Sequence, residues 1–358
     1  MDAPPPDSGR AAAPGSTGPG PGPGTGQRNR LLAAAGVGAL VLLLVGVLIG
    51  RGLGSDPSAA GPAPTAGPTP GPGPTSAPPT APASPPPPFT GPTLFGLSVP
   101  VGQRTAASTV VTRIRQEYGR LPVARIFSND PPPASWNDDA TLAALGDATS
   151  VVYSFKAPPT QVAAGAFDDR IRSFLASKPA GISVWFVYYH EPEDDVIKGQ
   201  FTPQQFVAAT EHVAPIARAS GAYATTILMQ YTLAPNSGRD WQDYYTPAID
   251  VLGWDAYNTG ARGETPTYKP ASSFVDPVLA VSKQTGKPFG WGEFGSPCIE
   301  TDPDCSQRAA WLDSIGRAFR DSGAQFATYW NRPALNGGTD YSLSDGQSKS
   351  AYRKFISP

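Results

Sequence analysis

The stretch Val184-Trp-Phe-Val-Tyr-Tyr-His-Glu191 decides the fold. Up to His190 it is apolar and aromatic with no polar alternation, the pattern of a strand buried on both faces, as parallel strands are. After it comes Gln204–Ala219, an amphipathic helical stretch opened by Thr202 before Pro203 and closed at Gly221. The same strand–helix unit recurs on both sides. Strands are expected at Leu94–Val99, Pro122–Phe127, Ser150–Phe155, Ser183–Tyr189, Ala222–Gln230, Asp250–Tyr257, Phe289–Phe294 and Phe326–Trp330. Gln161–Lys178 reads as one helix with Val162, Phe167, Ile171 and Phe174 on a single face, and Gln307–Asp321 behaves alike; Gly286 and Gly323 mark further helix ends. The helical signal after the second and fifth strands is weak. Eight such strands fit an α/β fold of the (β/α)8 barrel type. A doubly wound open sheet is the alternative, but the region holds no glycine-rich phosphate turn.

The chain before Thr93 is a different material. It holds 22 of the 43 prolines and is otherwise mostly Gly, Ala, Ser and Thr. Such a composition cannot bury enough apolar surface to offset chain entropy. Within it, Leu31–Gly50 is uncharged and rich in Leu, Val, Ala and Gly. At about 1.5 Å per residue it spans roughly 30 Å, the hydrocarbon thickness of a bilayer. Arg28 and Arg30 precede it and Arg51 follows, so the positive-inside rule places the N-terminus in the cytoplasm and the rest outside. A cleaved signal peptide is the other reading and also exports the main domain. The expected organisation is a disordered cytoplasmic tail over 1–30, a single transmembrane anchor over 31–50, a Pro-rich linker over 51–92 and the barrel over 93–358. As polyproline II, the linker reaches on the order of 100 Å from the membrane.

The formal charge is −2, and no basic patch interleaves with aromatics, which argues against a nucleic-acid partner. Cys298 and Cys305, the only cysteines, are expected to form a disulfide outside the cell; two free thiols are the alternative. His190 and His212 are not spaced with them as a zinc set, and no metal is expected.

In such a barrel, chemistry belongs at the C-terminal ends of the strands. Strand four ends in Glu191, and strand seven, Phe289-Gly-Trp-Gly-Glu293, also ends in glutamate. A carboxylate closing an apolar run is costly unless bonded or useful. Two of them facing one mouth can cleave a glycosidic bond, one as acid and the other as nucleophile or base. No cofactor is needed for this. Arg125, inside the apolar run Ala124-Arg-Ile-Phe127, requires an acidic partner, either Glu293 or a rim carboxylate. Glu193, Asp194 and Asp195 read as a solvated acidic loop, with calcium ligation as the alternative.

Glutamates ending strands four and seven resemble those of clan A glycoside hydrolases. His190 directly before Glu191, the run Trp291-Gly-Glu-Phe-Gly295 and Gly253-Trp-Asp-Ala-Tyr257 resemble family 26, the β-mannanase type. The chain departs from that family at Pro192-Glu-Asp-Asp195, where family 26 continues Met-Asn-Gly and then tryptophan. The resemblance implies that Glu191 is the acid/base, that Glu293 is the nucleophile of a retaining reaction, that Tyr257 hydrogen-bonds the nucleophile and that His190 meets the sugar at the cleavage point. Trp330, ending strand eight, would stack on a sugar face or else pack in the core. The implied activity is endo-cleavage of a β-1,4-linked polysaccharide, mannan first, by a membrane-tethered monomer with its catalytic domain outside the cell. A glycan-binding barrel of the cell envelope and a transglycosylase are the alternatives.

Overall fold

The computed structural model describes residues 87–99, 105–262, 265–334 and 338–358; the expected tail, the expected anchor at 31–50 and most of the expected linker lie outside them. Eight parallel strands close into a barrel in sequence order, β1 to β8. They are β1 (Leu94–Ser98), β2 (Val123–Ser128), β3 (Ser150–Phe155), β4 (Val184–Tyr188), β5 (Tyr223–Met229), β6 (Val251–Tyr257), β7 (Phe289–Gly295) and β8 (Phe326–Tyr329). All eight expected strands form, each end within two residues of expectation. Helices among the described residues are α1 (Ala107–Tyr118), α2 (Ala140–Leu145), α3 (Pro159–Ala163), α4 (Asp168–Ala176), α5 (Pro192–Ile197), α6 (Pro203–Ala219), α7 (Ser272–Thr285), α8 (Ser306–Asp321) and α9 (Gly346–Ile356). None of them is long and apolar enough to cross a membrane.

The period of two along each strand sorts side chains between the lumen and the helical shell. Val123, Val152, Trp185, Val187, Ile227, Val251 and Phe326 fill the lumen, with Trp185 Nε1 donating to Gln325 Oε1 at 2.8 Å. The alternate residues face the helices; Trp291, for example, stacks on Phe319 at 3.6 Å. Contact with the barrel begins before Thr93, because Phe89 packs edge-on against Trp185 at the lumen floor and Tyr223 Oη donates to the Pro87 carbonyl.

Two local expectations change, and the weak helical signal after the fifth strand is matched by the structure. The single helix over Gln161–Lys178 is two, α3 and α4, because Gly165 takes φ +78 and its amide turns back to the Val162 carbonyl; glycine adopts this backbone without steric cost. No α-helix follows β5; the crossover runs through 3-10 turns at Gln230–Leu233 and Trp241–Tyr244. The acidic stretch after Glu191 is not a solvated loop. It forms α5, with Glu193 fully buried. By contrast, α6 starts as its sequence reads, with a reciprocal Thr202–Gln205 capping box.

Cys298 and Cys305 form a disulfide with Cα atoms 5.4 Å apart, closing a rim loop beyond β7. Replacing both by serine is expected to lower the unfolding free energy by about 2 kcal/mol, since a loop this short restricts the unfolded chain only modestly. Urea denaturation of both forms checks this; an unchanged midpoint would count against it.

Candidate active site

Two departures from regular strand geometry build the site. On β7, alternation would send Glu293 outward into the helical shell. Instead Trp254 pairs with Trp291, and the next residue, Asp255, pairs with Glu293, so Gly292 and Glu293 together oppose Asp255. The extra residue re-aims Glu293 into the mouth, a common use of a bulge. Gly292 leaves room here: a Cβ would lie 2.6 Å from Ile227 Cδ1 and 2.8 Å from Asp255 Oδ1, so both side chains would have to move. At the end of β4, Tyr189 and Glu191 both take left-handed backbone, φ 54 and φ 49. Each costs of order 1–2 kcal/mol in a non-glycine residue, and such strain persists only where surroundings hold it. The Tyr189 amide bonds the Phe155 carbonyl at 2.9 Å, and the Glu191 amide bonds the Ile227 carbonyl at 3.0 Å. The turn brings His190 and Glu191 over the mouth.

The three acidic side chains converge. Carboxylate oxygens of Glu191, Asp255 and Glu293 lie within 4.8 Å of one another. Tyr257 Oη donates to Glu293 Oε2 at 2.5 Å. The Arg125 guanidinium, with no exposed surface, stands 3.7 Å from Glu293 Oε1 and donates to the Ile126 carbonyl and to Ser154 Oγ. Ser154 Oγ in turn meets His190 Nδ1 at 2.9 Å. Trp330 is partly exposed, stacks on Phe127 at 5.7 Å and carries the Arg332 guanidinium 5.0 Å over its ring.

These surroundings set the protonation states. Burial, then the Glu293 and Glu193 carboxylates, push the Glu191 carboxyl up to about 8. Burial raises Glu293 as well, but Arg125 and the Tyr257 hydrogen bond oppose it. Asp255 sits well above the usual carboxylate range because of burial and then Glu293 and Glu191; neither of its oxygens has a hydrogen-bond partner among the described residues. Burial, then Arg125 and Lys156, hold His190 well below its ordinary value and so neutral. Like charges this close cannot all ionise, so one carboxyl keeps its proton while its neighbour is anionic. The trio has the spacing to ligate a cation, but Arg125 and Tyr257 already compensate Glu293.

A folded-state pKa raised from 4.5 to about 8 has a consequence for stability. Between those values the folded protein holds a proton that the unfolded chain has released. The favourable contribution is complete below pH 4.5 and is lost as pH rises through about 8. A Glu191→Gln variant lacks this loss. Its Tm relative to the parent is therefore expected to rise between about pH 5 and pH 8, as read by thermal melts in matched buffers; a constant difference would contradict the assignment.

All the residues singled out from sequence lie at this mouth except the cysteines, which lie on its rim. Four others were not foreseen. Asp255 lies within the Gly253–Tyr257 motif, where the family resemblance points to Tyr257 instead. Glu193 was read as solvated. Ser154 and Arg332 carry no local signal. Two grooves lie along the barrel rim, the first of them reaching Asp255 and Tyr257. One, about 390 Å³, includes Tyr231, Tyr257, Lys269 and Phe274; the other, about 550 Å³, includes Asn129, Lys156, Tyr189 and Phe201.

Fold and mouth together define a (β/α)8 barrel with a carboxylate cluster at the C-terminal ends of its strands. No protein-family model matches the sequence, and no curated protein matches it. Solved structures do match the fold. A GH5 xyloglucanase from Bacteroides ovatus in complex with a XXXG heptasaccharide aligns with a TM-score of 0.50 and 13% identity over 74% of this chain and 75% of that one. An exo-beta-1,4-mannosidase from Opitutaceae bacterium strain TAV5 aligns with a TM-score of 0.51 and 15% identity over 74% of this chain and 59% of that one. A glucosidase from Croceicoccus marinus gives 0.50 and 13% over 74% and 67%. At these identities the likeness is one of fold.

Proposed function

We propose that this barrel is a retaining glycoside hydrolase of the clan A type, cleaving a β-linked polysaccharide at internal bonds, with β-1,4-mannan the first candidate. The observation that carries the reading is that a carboxylate oxygen of Glu191 and one of Glu293 come within 4.8 Å of each other at the ends of β4 and β7. Retaining enzymes hold their carboxyl groups about 5–5.5 Å apart, whereas inverting ones leave about 6.5–9.5 Å for a water molecule. Glu191, held protonated, gives its proton to the glycosidic oxygen as the bond to the sugar carbon breaks. Glu293, oriented by Tyr257 and Arg125, attacks that carbon and forms a glycosyl ester. Glu191, now anionic, takes a proton from water, whose oxygen displaces Glu293 from the sugar. Neutral His190 and the partly exposed Trp330 flank the sugar ring. The groove on the β5–β6 side, which reaches Asp255 and Tyr257, supports binding of a glycan chain that extends beyond the cleavage point. The family 26 resemblance of the His190-Glu191, Gly292-Glu293 and Trp254–Tyr257 motifs supports mannan as the backbone.

The same proposal places the barrel outside the cell, tethered through residues 31–50, with a glycan as its partner. The Cys298–Cys305 disulfide supports an oxidising compartment. Reducing-sugar release by the purified chain from mannan, glucomannan, xylan, xyloglucan, mixed-linkage glucan and cellulose tests the activity. Release from at least one, strongest from mannan, is expected. Binding without release would convert the proposal into a glycan-binding barrel.

A further inference from the structure

The departure after Glu191 has a structural counterpart in Glu193. Its side chain is fully buried at the first turn of α5, where an unpaired carboxylate is expensive. Oε1 accepts the Met229 amide at 2.9 Å, while Oε2 has no partner among the described residues. Met229 is the last residue of β5. Two residues earlier on that strand, the Ile227 carbonyl accepts the Glu191 amide. The segment Glu191–Glu193 is thus stapled to the end of β5 at two points, with strained Glu191 at one of them and Pro192, which has no amide to contribute, between them. Asp194 of α5, Arg239 and Tyr244 of the β5–β6 crossover, and Glu191 itself are the charged and titratable groups that sense this carboxyl.

We propose that Glu193 is a positioning residue: by holding the Met229 amide it locks the left-handed turn of Glu191 to β5 and keeps the Glu191 carboxyl aimed across the mouth at Glu293. This rests on the glycosidase reading. A displacement near 1 Å of a proton-transferring group costs on the order of 10²-fold in rate. The cost falls on leaving groups that need a proton and spares those that do not.

The test uses the full chain and paired substrates, phenyl and 2,4-dinitrophenyl β-glycosides of the sugar that the polysaccharide panel identifies. Glu193→Ala is expected to lose about 10²-fold in kcat on the phenyl glycoside with KM little changed, and far less in the dinitrophenolate-releasing step. Glu193→Gln, which keeps the acceptor oxygen, retains most of the activity. Met229→Pro is a second route. The backbone there has φ −67, which proline accepts, and the substitution removes the N–H together with the partly exposed methionine side chain; it should reproduce the Glu193→Ala pattern. Equal losses on both leaving groups, or an unchanged kcat in folded Glu193→Ala, would overturn the proposal. Amide hydrogen exchange keeps the two readings separate. If the parent cleaves no glycoside, the hydrolase reading fails by itself, while faster exchange of the Met229 amide in Glu193→Ala but not Glu193→Gln still establishes the staple. Unchanged exchange in both variants would refute it.

Discussion

Glu293→Gln is expected to lower kcat by at least about 10⁴-fold, since loss of a nucleophile removes the covalent route altogether. The substitution is nearly isosteric. It keeps an oxygen to accept from Tyr257 and removes the charge that compensates Arg125. The protein should therefore fold and bind glycan while releasing no sugar, which isothermal titration and a reducing-end assay on the same preparation would show. One cost is foreseen: Arg125 has no exposed surface and pairs with Glu293, so its guanidinium loses its counter-charge. Removing one partner of a buried pair commonly costs 3–5 kcal/mol. A lowered Tm with intact binding is thus the expected signature. Residual activity within about tenfold of the parent would show that Glu293 is not the nucleophile.

The second large effect concerns the acid. Glu191→Ala is expected to cost about 10²–10⁴-fold on natural polysaccharide, the usual worth of general acid–base catalysis. The parent is expected to lose activity as pH rises through about 8, when Glu191 gives up its proton, and the variant should lack that fall. Because the site then lacks a base for the second step, azide should accelerate turnover of an activated aryl glycoside and leave a β-glycosyl azide. No azide product, or an unchanged alkaline limb, would move the acid role elsewhere. Asp255 is the first candidate, being the other carboxyl held protonated beside Glu293.

The fold was legible because strands buried on both faces announce themselves: runs such as Val184–Tyr188 admit no solvated face and so no other assignment. The pair of glutamates was legible for the same reason, each closing an apolar run. Less visible was everything that depends on neighbours distant in sequence. Alternation alone sends Glu293 to the wrong side of β7; the bulge that corrects it depends on Gly292 lying over Ile227 and Asp255. Asp255 sits mid-strand, where a carboxylate reads as an error unless its environment keeps it neutral. Glu193 looks solvated between Asp194 and Pro192, and only the amide at the end of β5 explains its burial. Helix continuity across Gly165 failed because amphipathic periodicity ignores a single glycine able to turn the chain.

On the proposed mechanism Glu191 and Glu293 act across one sugar ring, with Glu293 rather than a water attacking the sugar carbon. The most direct measurement is the anomer first released from a β-linked oligosaccharide, followed by proton NMR before mutarotation. Retention, with the β-anomer appearing first and the α-anomer growing in later, is the predicted result. An α-anomer formed first would mean that water attacks directly, and would contradict the assignment of Glu293 as nucleophile.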